Sequence, residues 1–179
     1  MKISLCIPVL ALALLFVAAC GTTTDLVMPV LPHDPVNEGW KAIENYQHSF
    51  NTQNTTLLDE SLASEFEFLL SEEDWDDYNG DGIVDTTLTE QMYLTTISAL
   101  FDSTEVIELT LTGTVENPWT GDPTGQTMQY LRSYNMKAYN WVGGQQEGWT
   151  RQGEASFLCK ADSSGVWRIT YLEDLTGSR

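Results

Sequence analysis

The chain has 179 residues, 42% of them apolar, with 8 Lys and Arg against 26 Asp and Glu, for a formal net charge of −18. Such a surface repels polyanions, which excludes nucleic acid as a partner and disfavours docking on anionic headgroups. The length suits one domain large enough to bury a real core.

The chain opens with Lys2, an apolar run "IPVLALALLFVAA" and a small-residue exit. These mark residues 1–19 as an export signal, because the run is shorter than the roughly 20 residues a membrane span needs. The following "Val17-Ala18-Ala19-Cys20-Gly21" resembles the lipobox of bacterial lipoproteins. That resemblance implies a diacylglycerol on the Cys20 sulfur, attachment to the membrane through this lipid and residence in the bacterial cell envelope. With Gly21 rather than Asp after the cysteine, it implies the outer membrane. Loss of Lys2 with the signal leaves seven bases against the 26 acids. Residues 20–35 carry Pro29, Pro32 and Pro35 without a helical period and read as a flexible tether, so the folded domain is expected over 36–179. Cys6 departs with the signal and Cys20 is lipidated, so Cys159 is the one thiol left in the domain and no internal disulfide can form. It shares inward parity with Phe157 and reads as a small core residue.

Asn37 is placed to cap a first helix, with Trp40, Ile43, Tyr46 or Gln47, and Phe50 at spacings of three to four. The region from Asn54 to Thr56 caps a short second helix bearing Leu57, Leu58 and Leu62. "EFEFLL" sets Phe66, Phe68 and Leu70 on one parity, as a strand does. The acidic stretch "DYNGDGIVD" comes next. Asp77, Asn79, Asp81, Gly82 and Ile83 occupy positions 1, 3, 5, 6 and 7 of an EF-hand-type calcium loop, and Asp85 occupies position 9. Leu88 replaces the bidentate Glu of position 12, which removes two ligand oxygens. The stretch also resembles the calcium loops of dockerins and thrombospondin type 3 repeats. Glu73, Asp74 or Glu90 could supply the missing oxygens for a calcium ion of structural role. The alternative is an Asx-and-glycine turn leading into the third helix. "Thr87-Leu88-Thr89-Glu90" has the form of a capping box for that helix, whose stripe runs through Leu88, Met92 or Tyr93, Ile97, and Leu100 or Phe101.

From about residue 105 the period changes to two. "VIELTLTGTV" places Ile107, Leu109, Leu111 and Val115 on one face. Further strands are expected over 127–141 and 149–160 and in "VWRITYL", at hairpin spacings that imply an antiparallel meander. Two scarce bases fall on inward parity: Arg132 with Tyr130 and Tyr134, and Arg151 with Trp149. A guanidinium among aromatics can hold an anion at a cavity mouth. Alternatively each pairs with an acid of the chain, or a bulge turns it outward. Tyr130, Tyr134 and Trp149 are core candidates first and pocket candidates second.

An amphipathic helix, a short second helix, a Phe-rich segment, a third helix and long antiparallel strands ending in "SGVWRITYLEDL" resemble the nuclear transport factor 2-like, or SnoaL-like, superfamily. "NYQHSFNTQNTTLLDESLASEFEF" resembles that family's opening helical pair. The resemblance implies an α+β cone: N-terminal helices wrapped on a strongly bent antiparallel sheet, with a cavity at the wide end and a homodimer through the open sheet face. The fold hosts isomerases, dehydratases and noncatalytic binding modules, so it does not select an activity. No catalytic residue is assigned. His33 lies in the tether, His48 reads as a helical bystander, and no nucleophile is paired with a base. The expectation is a lipid-anchored binding or interaction module for an apolar or anionic small molecule or a protein. The alternative is a small SnoaL-like isomerase, dehydratase or hydrolase with a cavity acid or base.

Overall fold

The computed structural model describes residues 32–176 apart from position 123. The expected signal, Cys20 and the tether up to residue 31 lie outside the described residues. Helix α1 (Gly39–Thr52) is followed by α2 (Thr55–Ser61), β1 (Leu62–Leu69), a 3₁₀ turn (Glu72–Asp74), β2 (Thr87–Thr89) and α3 (Glu90–Ser103). Strands β3 (Val106–Pro118), β4 (Thr127–Val142), β5 (Gln145–Ala161) and β6 (Trp167–Asp174) complete the chain order. No helix among the described residues is long and apolar enough to cross a membrane.

The six strands form one sheet in the order β2-β1-β6-β5-β4-β3. The β3–β6 meander is antiparallel as the hairpin spacing predicts, while β1 joins β6 in parallel. A parallel neighbour needs a long crossover, and here α3 with the meander supplies it. The β4–β5 hairpin turns on Gly143 and Gly144, both at positive φ, the two-residue geometry whose twist matches that of paired strands.

Helix α1 buries Ala42, Ile43, Tyr46 and Phe50 against the sheet, and Trp40 and Ile97 pack at the border of the same core. Each fully buried large side chain contributes roughly 1.5–3 kcal/mol. The helix also covers the free edge of β3. The Asn51 amide accepts from Leu109 N at 2.6 Å and donates to Leu109 O at 3.0 Å, and Gln47 Oε1 accepts from Leu111 N at 2.8 Å. These side chains take the place of a neighbouring strand on an edge that would otherwise offer open backbone groups. Gln53, in the left-handed region at φ 50°, ends α1, and its amide donates to Phe101 O and Thr104 O at the end of α3.

Several local expectations change. Asn54 caps α2 by accepting from Leu57 N at 3.0 Å, but Asn37 does not cap α1, whose first residue is Gly39. The "Thr87-Leu88-Thr89-Glu90" capping box does not form, because Thr87–Thr89 pairs with β1 as a strand and α3 starts at Glu90 without a side-chain cap. Val115 is exposed, since a bulge between Thr112 and Val115 reverses the parity of β3. Gly113 makes that bulge at φ 113°, a conformation that a side chain rarely adopts. The residues just before 36 are held on α1: His33 N donates to Asn45 Oδ1, Asn45 Nδ2 returns a bond to His33 O, and His33 Nε2 lies 2.6 Å from Glu44 Oε2.

Candidate functional site

Between α1, α3 and the concave sheet face lies a cavity of about 240 Å³. Phe50, Leu88, Ile97, Leu109 and Phe157 are among its apolar walls. Inside it, the hydroxyls of Tyr46 and Tyr93 are in hydrogen-bonding contact with each other. Burial pushes both phenols well above their ordinary range, so they stay neutral near pH 7 and act as hydrogen-bond donors or acceptors rather than as bases. In the sequence both tyrosines stand among alternative stripe positions, Tyr46 or Gln47 and Met92 or Tyr93. A usable signal was present, because a buried phenol requires a partner and each of these lay on a helix face turned to the core.

The mouth is charged and tightly knit. Arg151 Nη1 and Nη2 donate to the two carboxylate oxygens of Asp74 at 2.7 and 2.5 Å, and Nη2 also lies 3.0 Å from Asp174 Oδ2. Arg151 Nε donates to the Tyr134 hydroxyl, which in turn donates to Asp174 Oδ2 at 3.0 Å. Ser71 Oγ donates to Asp74 Oδ2, and Tyr78 OH donates to Asp74 O. The fork-to-fork geometry is the strongest form of ion pair available to a partly exposed arginine. It joins the 3₁₀ turn to β5 across the cavity entrance.

Of the five pocket candidates, Tyr134, Trp149 and Arg151 line this cavity, and Tyr130 and Arg132 do not. Tyr130 is buried in the core, and Arg132 lies beyond α1 in a second groove. All five sit on neighbouring strands, but α1 crosses the sheet between them. Asp74, Tyr78 and Asp174 are mouth residues that strand parity could not reveal, since they come from the 3₁₀ turn, the acidic loop and the last residue of β6. Cys159 is fully buried, and burial raises its thiol above the ordinary range, which suits a core residue rather than a nucleophile.

The acidic loop is closed by a bridge between Asp76 and Asp85. Its side-chain oxygens turn toward its own amides. Asp77 accepts from Gly80, Asp81 and Gly82 N at 2.7–3.0 Å, Asn79 from Asp81 N, Asp81 from Ile83 N, and Asp85 from Tyr78 N. Among the described residues no group of three or more His, Cys, Asp or Glu converges as a metal cage. Asp74, considered above as a supplementary ligand, is engaged by Arg151.

The Arg151 bonds, then Ser71, hold the Asp74 carboxyl below its ordinary range. A depressed folded-state pKa stabilises the fold above the unfolded value of about 4 and loses that contribution as pH falls through the lower folded value. Asp74→Asn is expected to cost about 1 kcal/mol at pH 7, after allowance for partial exposure, or roughly 3 °C in melting temperature. Melting curves of both proteins from pH 7 to 2 should converge toward the acid end. A gap of constant size would mean that the carboxylate charge contributes nothing.

No protein-family model and no curated relative matches the sequence. Solved structures do. A conserved protein from Planctomyces limnophilus superposes with a TM-score of 0.58 at 11% identity, covering 75% of this chain and 90% of that one. A candidate dehydratase of the NTF2-like family from Streptomyces avermitilis gives 0.56 at 12% identity over 78% and 96%. An NTF2-like superfamily protein from Salmonella enterica serovar Typhimurium gives 0.53 at 13% over 74% and 84%. With three helices laid on a bent, open sheet, the chain has the nuclear transport factor 2-like cone fold.

Proposed function

We propose that this domain binds a small, largely apolar molecule inside its cone and works outside the cytoplasm, tethered through a lipid on Cys20. The observation that carries the binding reading is the cavity itself: apolar walls, one phenol pair within, a Thr96 hydroxyl already bonded to Met92 O, and charged groups confined to the mouth. This is the usual composition of a ligand site, in which a few fixed polar groups orient an apolar body. An anion at the mouth would have to displace Asp74 or Asp174 from Arg151, so an uncharged ligand suits the site better.

The alternative, a SnoaL-like isomerase, dehydratase or hydrolase, rests on the fold and on relatives such as the candidate dehydratase. A general base needs a pKa near working pH and a reachable lone pair. Both mouth carboxylates are tied to Arg151, and the inner phenols are held neutral. Binding is therefore the better-supported class.

A structural calcium in the 77–85 loop is a second part of the proposal. Its support is the D-x-N-x-D-G spacing and the loop closure at Asp76 and Asp85. The loop amides leave further lone pairs on Asp77, Asn79, Asp81 and Asp85 and on the Ile83 carbonyl, to which an ion could bind at the millimolar strength of extracellular modules.

Titration with 2-naphthol, an uncharged fluorescent probe, should give saturable binding at one site. Thr96→Phe, which fills the cavity from α3, should abolish it while the circular dichroism spectrum is kept. Binding that ignores this variant would refute the cone as the site. Calcium at about ten times its dissociation constant should add about 1.4 kcal/mol to stability, and the double variant Asp77→Asn, Asp81→Asn should remove the gain. Coincident melting curves in calcium and in chelator would reject the ion. For the tether, Cys20→Ser should move the protein from the membrane pellet to the soluble fraction, and an unchanged distribution would reject lipidation.

A further inference from the structure

Two guanidiniums project from paired strands, and their surroundings are opposite. Arg151 is saturated by Asp74, Asp174, Ser71 and Tyr134. Arg132, in register with Ala155 on β5, is only 9% exposed and forms part of a groove of about 360 Å³ between α1 and the β3–β4 edge. Among the described residues its contacts are one hydrogen bond from Nη1 to Leu131 O at 3.2 Å, the Tyr130 ring at 5.3 Å, and Glu116 Oε1 at 3.6 Å from Nη2. The last distance is well beyond the 2.7–2.9 Å of a charge-assisted bond. A guanidinium carries five N–H donors. Among the described residues no side-chain nitrogen is both fully buried and unpartnered, so the Arg132 donors left over open on the groove, within reach of a ligand.

The rest of the groove narrows the class of partner. Trp40, Ile43 and Leu111 give it an apolar wall. Gln47 and Asn51 also border it, but their amides are spent on the edge of β3. Its other charged groups are Glu44 and Glu116, and His48 adds an imidazole. Glu44 already holds His33, whereas Glu116 has only its slack approach to Arg132 among the described residues. A simple anion would satisfy Arg132 but add to an acidic excess. A simple cation would satisfy Glu116 and leave the buried guanidinium as it is. A molecule carrying both charges answers both groups.

We propose that this groove is a second ligand site, separate from the cone, for a zwitterion of the free α-amino acid class with an apolar side chain. Its carboxylate bonds to the open Arg132 donors, its ammonium pairs with Glu116, and its side chain lies on Trp40, Ile43 and Leu111. The groove and the cone are lined by different charged residues, so occupancy of the groove does not depend on the cone binding anything.

The test uses the full chain and three matched probes: L-leucine, 4-methylpentanoate, which lacks the amine, and 3-methylbutylamine, which lacks the carboxylate. Binding is read by calorimetry and by the NMR signals of the Trp40 indole and the Gly113 amide. Leucine should bind at least about tenfold more tightly than either singly charged probe and shift both signals. Arg132→Gln should lower leucine to the level of the amine, and Glu116→Gln should lower it to the level of the carboxylate. If Arg132→Gln fails to fold, the partly exposed Glu116 variant and the order of the three probes on the unaltered chain decide the matter. Equal binding of leucine and either partial analogue, leucine affinity untouched by Glu116→Gln, or no movement of the two signals at millimolar leucine would overturn the proposal.

Discussion

The seating of α1 across the concave sheet face is the constraint on which both concavities depend. Apolar burial of Ile43, Tyr46 and Phe50 presses the helix onto the sheet. That force is non-directional and would tolerate sliding. Direction comes from Asn51 and Gln47, whose amides bond the backbone of β3 at Leu109 and Leu111. With its height and rotation set in this way, the helix divides one curved surface into two. On one side Tyr46 and Phe50 wall the cone, and on the other Trp40 and Ile43 wall the groove.

The scarce cations are distributed by the same division. Net charge alone would suggest that every arginine of so acidic a chain is neutralised many times over. Arg151 is, because β5 brings it beside the 3₁₀ turn and the end of β6 at the cone mouth. Arg132 is not, because, of the two carboxylates bordering the groove beyond α1, Glu44 holds His33 and only Glu116 approaches the guanidinium, at 3.6 Å. Local placement, and not composition, decides which guanidinium retains donors for a ligand. The mouth network therefore holds a loop against the sheet, while the groove arginine has the more open chemistry.

Much of the architecture was legible in the chain. The change of period near residue 105 separates helices from meander, and the stripe of α1 names residues that are buried. The failures have specific causes. Thr87–Thr89 carries a helix-capping pattern but lies beside β1, and ladder hydrogen bonds to that strand replace the cap. Val115 follows the correct alternation until Gly113 adds a residue to one side of the ladder. Tyr46 and Tyr93 were visible as helix-stripe candidates but not as partners, since 47 residues separate the two hydroxyls.

By itself the sequence determined the properties that depend on near neighbours along the chain: acidity, the order of helices and strands, the cap at Asn54, and the loop built on Asp77, Asn79 and Asp81. Periodicity and turn chemistry act over a few residues, so they survive without knowledge of the rest of the fold. Only the tertiary structure decided that Arg132 and Arg151 serve different concavities, that Asp74 closes the cone and that two phenols meet inside it. Those facts follow from strand register, one bulge and the line along which a helix crosses a sheet. Each of these joins residues tens of positions apart, where no local pattern carries the information.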